Sequence, residues 1–181
     1  KNLKIKTVEF TSTKSVKPYV KPVFDLINKT YTEIYGFTKL TEDEMTEFAE
    51  RFLPLLNPKL IKMITNENGE LLAFIIAMAD LSEAIKNSRG RILPFGWARI
   101  LWAMKTSKRL QLLLGAIHPN YQNKGLDAVL ATMLFGSALK LGFKTVDSHL
   151  IMKDNLKMRG EIEKLEGFNL YKEYCIFRKK L

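Results

Sequence analysis

The sequence predicts an α/β fold in which a mixed sheet carries helices on both faces. Leu60–Ile64 and Leu71–Ala79 are apolar runs separated by a turn with an Asn-Gly pair, which is a strong signal for an antiparallel hairpin. Leu110–Ile117 and Phe143–Ile151 are further strand-like runs, and apolar residues recur every three or four positions across Leu126–Leu141 between them. A strand-helix-strand unit of this length predicts a parallel pair of strands with a right-handed crossover.

The N-terminal part of the chain predicts one strand followed by one helix. Apolar and polar residues alternate from Leu3 to Phe10, as in a half-buried strand. Ser15–Tyr35 has helical spacing, with Pro18 and Pro22 interrupting the start of the helix and Gly36 ending it.

Four further elements are predicted. Thr41–Pro54 begins with a Thr and a Glu at capping-box spacing and continues with an apolar helical face. Ser82–Asn87 reads as a short polar helix, Asn155–Leu165 as a later helix, and Tyr171–Arg178 as a closing strand.

An amphipathic helix is predicted from about Gly96 to Lys105. Its apolar stripe consists of Trp97, Ile100, Leu101 and Met104. Because such stripes usually cover a sheet of the same protein, we expect this one to pack inward. The alternatives are a membrane surface or an acyl acceptor, since Lys105, Lys108 and Arg109 extend the stripe with positive charge.

Composition bounds the possible functions. The 181 residues carry a net charge of +10, which suits nucleic acid, an anionic membrane or a polyanionic small molecule. Cys175 is the single cysteine, and no run of about 18 apolar residues or signal-peptide pattern occurs, so a cytoplasmic protein is expected. No spacing of residues suggests a metal site, and no nucleic-acid motif is present. We expect one domain over residues 1–181, consistent with the C-terminal part of a longer protein because residue 1 is Lys.

The segment His118–Ala128 joins a predicted strand to a predicted helix. The free amides at the start of that helix face whatever lies beyond the strand end, an arrangement that binds phosphate. Gly125 allows close approach of the backbone, and Lys124 adds a positive charge. A diphosphate fits this pattern.

The same segment resembles the signature of the GNAT N-acetyltransferase superfamily. In that signature an apolar strand runs into Pro, an aromatic residue, Arg or Gln, two residues, Gly, one residue, and Gly or Ala; here these are Leu113–Pro119, Tyr121 and Gln122–Asp127. The order of elements is similar over nearly the whole chain, and Tyr35–Asp80 resembles a poorly characterised bacterial subgroup. The resemblance implies a GNAT fold with a sheet of about six to seven strands, and direct transfer of an acetyl group from acetyl-CoA to an amine.

The resemblance also implies which residues bind acetyl-CoA. The strand amides would hold the thioester carbonyl and pantetheine, the loop would wrap the pyrophosphate, and an Asn would contact the pantetheine arm. The implied residues are Gly115, Ala116, Ile117, Gln122, Asn123, Lys124, Gly125, Leu126, Asp127, Ala128 and Asn155.

Two positions depart from the family pattern. Asp127 stands where Gly or Ala is preferred, so its carboxylate must point away from a pyrophosphate or complement the helix dipole. Ile162 stands where many relatives have the Tyr that protonates the leaving thiolate, which makes Tyr171 and Tyr174 the candidate substitutes.

The base that accepts the amine proton is open at this stage. His118 is the first candidate because it lies at a strand end and its ordinary pKa suits neutral pH. The weaker candidates are His149, Asp147, Asp80 and Glu83.

Three functions therefore remain open: an N-acetyltransferase acting on an unidentified amine, a GNAT-fold module that binds acyl-CoA or a partner without turnover, and a basic nucleic-acid-binding domain, which ranks last. A homodimer or a tandem-domain neighbour would fit the second of these.

Overall fold

A computed structural model describes residues 4–88, 96–148, 150–153, 155–163, 166–167, 169–175 and 177. The described residues belong to two compact units, Lys1–His149 and Leu150–Leu181.

The first unit is built on a five-stranded sheet with the order β1-β2-β3-β4-β5. The strands are β1 (Ile5–Glu9), β2 (Ile61–Asn66), β3 (Leu71–Ala79), β4 (Arg109–Ile117) and β5 (Thr145–Ser148). The first four strands are antiparallel neighbours, whereas β4 and β5 are parallel. The predicted hairpin and the predicted parallel pair are both confirmed.

Seven α-helices occur among the described residues. They are α1 (Thr13–Val16), α2 (Val20–Thr30), α3 (Glu42–Phe52), α4 (Ser82–Asn87), α5 (Gly96–Thr106), α6 (Leu126–Lys140) and α7 (Leu156–Ile162). The capping box at the start of α3 is present as predicted, with the Thr41 hydroxyl and the Glu44 carboxylate bonded to each other's backbone amides. None of the helices in the described ranges combines the length and apolar character that a bilayer crossing requires.

Side-chain alternation along the strands places helices on both faces of the sheet. Met63 and Phe74 belong to the core beneath α2, whereas Ile64 and Ala73, one position along their strands, pack with the residues of α6. Since successive strand residues point to opposite faces, the sheet is covered on both sides. The predicted mixed sheet flanked by helices is confirmed.

The first predicted helix is shorter than expected. A 3-10 turn at Lys17–Tyr19 separates α1 from α2, because Pro18 has no amide hydrogen to donate. At the other end α2 stops at Thr30, whose hydroxyl donates to the Leu26 carbonyl at 2.7 Å. Tyr31 is thereby placed after the helix rather than inside it.

The closing strand predicted over Tyr171–Arg178 is a second difference. Residues 171–175 lie in no strand, so the sheet of the described residues has five strands instead of six to seven. A strand needs a paired edge as well as a suitable alternation of side chains, and the sequence reports the alternation alone.

The outward face of α5 is the third difference. Ile100 and Met104 are partly buried, but Trp97, Leu101 and Trp102 are exposed. Two residues of the predicted stripe, Ile100 and Met104, therefore pack inward, while the other two and Trp102 face solvent.

Candidate functional site

The turn that joins β4 to α6 combines three unusual backbone conformations. It begins with a 3-10 turn at Pro119–Tyr121 and continues with Asn123 at φ 58° and Gly125 at φ 78°. Both φ values are in the left-handed region, which Gly adopts without strain and Asn tolerates better than most residues. The chain thus reverses direction within a few residues of the end of β4.

Gly125 is the N-cap of α6, and no side chain caps the helix there. Leu126 is buried and packs with Ile64 and Leu72, so the helix start is held against the sheet. Asp127 and Ala128 are exposed. The first amides of an α-helix have no partner within the helix, so this start presents donors and the positive end of the helix dipole to solvent.

Lys124 points back along the turn. Its ammonium donates to the Asn120 carbonyl at 2.6 Å and lies 4.9 Å from the centre of the Tyr121 ring. The positive charge predicted for the helix start is therefore held against the 3-10 turn. Gln122 also bonds back, since its side-chain amide donates to the Ile117 carbonyl at 3.3 Å.

The end of β4 is paired on one side. In the part of the chain that the structure describes, β4 pairs with β5 from Arg109 to Leu112, whereas its pairing with β3 continues to Ile117. His149, the residue after β5, lies outside the described residues, so the described ladder covers these four pairs. Nearer the turn, Leu114 and Gly115 are exposed, and the backbone of Gly115 bonds to a side-chain hydroxyl, that of Tyr31. We call the side of residues 115–117 that faces away from β3 the open edge of β4.

Hydrogen-bond direction alternates along β4 and decides which amides face that edge. His118 N–H donates to the Leu72 carbonyl of β3 at 2.8 Å, and Ala116 is the partner of Phe74. Because direction alternates residue by residue, the amide of Ala116 faces β3 while those of Gly115 and Ile117 face the open edge. The geometry favours Gly115 and Ile117 over Ala116 as donors to a ligand.

Tyr31 lies at this open edge. Its hydroxyl donates to the Gly115 carbonyl at 2.9 Å and accepts a longer bond from the Gly115 amide at 3.4 Å. Burial raises the pKa of Tyr31, so the hydroxyl keeps its proton at neutral pH. The sequence assigned Tyr31 to the interior of the predicted helix Ser15–Tyr35. It was missed as a site residue because only the folded structure brings the end of α2 to β4.

His118 follows the open edge directly. Its Nε2 lies 2.7 Å from Lys29 Nζ, and its Nδ1 lies 3.3 Å from the Asn120 amide nitrogen. A neutral imidazole accepts one hydrogen bond, so these two contacts compete. Burial and then the Lys29 charge lower the pKa of His118, and Glu70 opposes them weakly. The ring is therefore neutral at neutral pH.

Three other predicted bases are not brought to this site. Asp80 pairs with Arg109 at 3.6 Å, Glu83 is an exposed residue of α4, and Asp147 lies on β5. His149 lies outside the described residues.

Three predicted residues belong to the second unit. Asn155 caps α7 by accepting a hydrogen bond from the Met158 amide, and its contact with pantetheine stays a prediction. Tyr171 and Tyr174 lie in a segment without regular structure, and their role as acids also stays a prediction.

Comparison with known sequences gives two relatives of much greater length. The chain is 24% identical over 168 residues to the bacterial ceramide synthase of Caulobacter vibrioides, covering 90% of this chain and 43% of the relative. It is 27% identical over 164 residues to protein YghO of Escherichia coli, covering 87% of this chain and 41% of the relative. The chain thus spans about two fifths of the length of the curated relatives it matches. No family model matches the sequence.

Comparison with solved structures identifies the fold. AAC(6')-Iy, in complex with the bisubstrate analog CoA-S-monomethyl-acetylneamine, superposes with a TM-score of 0.58 at 13% identity, covering 100% of both chains. An N-acetyltransferase from Staphylococcus aureus superposes with a TM-score of 0.56 at 13% identity, covering 88% of this chain and 81% of that one. The element order and these superpositions together establish that the chain has the GNAT N-acetyltransferase fold.

Proposed function

We propose that the chain transfers an acyl group from acyl-CoA to an amine. The observation that carries this proposal is the uncapped, exposed start of α6, which lies beside the open edge of β4. The helix start suits a diphosphate, and the open strand edge suits an extended chain that carries amide groups. CoA contains both of these groups. The superposed AAC(6')-Iy structure contains a CoA-derived ligand, which supports the same assignment.

The residues of the turn fit a pyrophosphate. The amides of Leu126, Asp127 and Ala128 belong to the first helical turn, and Gly125 leaves open space where a side chain would otherwise stand. An anion at this place satisfies amides that the helix itself cannot. The Asp127 carboxylate is exposed in the same turn, where it complements the helix dipole but repels a second anion.

The residues of the open edge fit the acyl end. The amides of Gly115 and Ile117 face away from β3, and the protonated Tyr31 hydroxyl lies beside the first of them. Bound acyl-CoA supplies the activated acyl group. Donors aimed at its carbonyl oxygen stabilise the charge that develops during attack by an amine, at about a hundredfold to a thousandfold in rate for each donor.

His118 is the proposed proton acceptor for the attacking amine. Its ring is neutral at neutral pH and lies one residue beyond the open edge. Lys29 must release Nε2 before the ring accepts a proton there, because the two nitrogens are already in contact.

A long-chain amine is the acceptor class that we propose to test first. A ceramide is the amide of a fatty acid with a sphingoid base, so the name of the Caulobacter relative describes N-acylation of a lipid amine. Helix α5, which directly precedes β4, is apolar and basic, and this is compatible with an acceptor of low positive charge. An acyl-CoA-binding module without turnover is the alternative, and the departures at Asp127 and Ile162 favour it.

The cofactor site predicts that Gly125→Glu weakens CoA binding. The new carboxylate would stand at the helix start and repel the pyrophosphate, so calorimetric titration with acetyl-CoA should show a loss of affinity of about tenfold or more. Gly142→Glu is the matched control, because it introduces the same residue at φ 85° at the other end of α6. Equal loss in both variants, or none in Gly125→Glu, would contradict the assignment.

Turnover separates the proposed enzyme from the binding module. We expect release of free CoA when the chain is given acyl-CoA of short and long chain length together with sphinganine, aminoglycosides or simple primary amines. The amide product should be identified by mass spectrometry. CoA binding without amide formation for any amine in the panel would leave the binding module as the function.

The electrostatics of His118 predict opposite pKa shifts in two variants. Lys29→Met removes a repelling charge and should raise the pKa of His118 towards its ordinary value, whereas Glu70→Gln should lower it further. Proton NMR can follow the ring, because the chain has two histidines and His118→Gln identifies the other.

The same variants test the base. If His118 accepts the proton, kcat/KM should fall as the pH is lowered through the pKa of His118. Lys29→Met raises that pKa, so in this variant the fall should begin at higher pH. The folded chain also binds this proton less well than the unfolded chain, so the contribution of His118 to stability is present above its ordinary pKa and is lost in acid. An unchanged pKa in Lys29→Met would refute the electrostatic account.

A further inference from the structure

Helix α5 has one face against the protein and a second apolar face towards solvent. Its inner side chains include Ile100, which is partly buried, and Met104, which lines a small cavity with Met78 and Phe143. On the outside, Trp97 is 51%, Leu101 49% and Trp102 70% exposed. Soluble proteins seldom expose several large apolar side chains side by side, so the outer face is expected to contact an apolar surface.

The same face is positively charged. The eleven residues of α5 include no Asp or Glu. Lys105 is exposed and lies one helical turn from both Leu101 and Trp102, so it shares their face. Arg99 is exposed at the flank, with its guanidinium donating to the Asn87 carbonyl of α4 at 2.8 Å.

Neighbouring residues add to this charge. Lys86 on α4 and Lys108 after α5 are exposed, against one exposed acidic residue of α4, Glu83. Asp80 is already paired with Arg109. The whole chain carries a net charge of +10, so its overall charge also favours an anionic surface.

We propose that α5 binds the chain to the surface of an anionic phospholipid bilayer. Indole rings favour the headgroup layer, Leu101 enters the apolar boundary, and Lys105 and Arg99 face lipid phosphates. The mixture of aromatic and basic groups on one exposed helix face matches this occupant better than a buried protein interface, whose centre is poor in lysine. The proposal stands independently of acyl transfer.

The two tryptophans make the test direct, because both tryptophans of the chain lie on α5. Tryptophan emission and co-sedimentation should be measured with vesicles of mixed phosphatidylglycerol and phosphatidylcholine, and with vesicles of phosphatidylcholine alone. We expect a blue shift and binding with the anionic vesicles at low salt, at least about tenfold weaker binding to the neutral ones, and weakening with added salt.

Two variants keep both tryptophans, and each removes one contribution to membrane binding, either apolar contact or positive charge. Leu101→Ser and Lys105→Glu should each weaken co-sedimentation about tenfold, since one removes apolar area and the other reverses a charge. Leu139→Ser and Lys140→Glu are matched controls on exposed positions of α6 and should bind as the unaltered chain does. Thermal unfolding followed by circular dichroism shows that each variant is folded.

Three results would overturn the proposal. The first is absence of binding to anionic vesicles at low salt. The second is binding that the α5 variants and the α6 controls weaken equally. The third is a blue shift that appears with protein concentration in the absence of vesicles, which would place a second copy of the chain on this face.

Discussion

The open edge of β4 is the constraint on which the candidate site depends. The amides of Gly115 and Ile117 face away from β3, so the backbone groups of these residues need partners other than that strand. Tyr31 supplies one for Gly115, and the side chain of Gln122 supplies one for the Ile117 carbonyl. Side-chain partners of this kind are easier for a ligand to displace than a paired strand.

The electrostatics of the site follow from backbone geometry more than from charged side chains. Lys124 is held against Asn120 and Tyr121, and Asp127 adds a negative charge to the first turn of α6. What remains for an anion is the set of amides at a helix start that Gly125 leaves uncapped. This arrangement explains how the turn tolerates an acidic residue where the GNAT signature prefers Gly or Ala.

The sequence predicted the elements whose signal is local. The hairpin followed from an Asn-Gly turn, the α3 start from the spacing of Thr41 and Glu44, and the β4-α6 turn from its glycine and the strand before it. Tyr31 and Lys29 were missed because their roles come from contacts with residues more than 80 positions away. The outward face of α5 was predicted only as an alternative to inward packing, since helical periodicity identifies an apolar stripe without saying what covers it.

We propose that the open edge of β4 and the start of α6 bind one CoA molecule together. Titration of the isotope-labelled chain with acetyl-CoA, followed by amide NMR, tests it residue by residue. One set of amides should shift together with one affinity: those of Gly115, Ile117, Leu126, Asp127 and Ala128. Shifts confined to one of these two segments, or centred elsewhere in the chain, would contradict it.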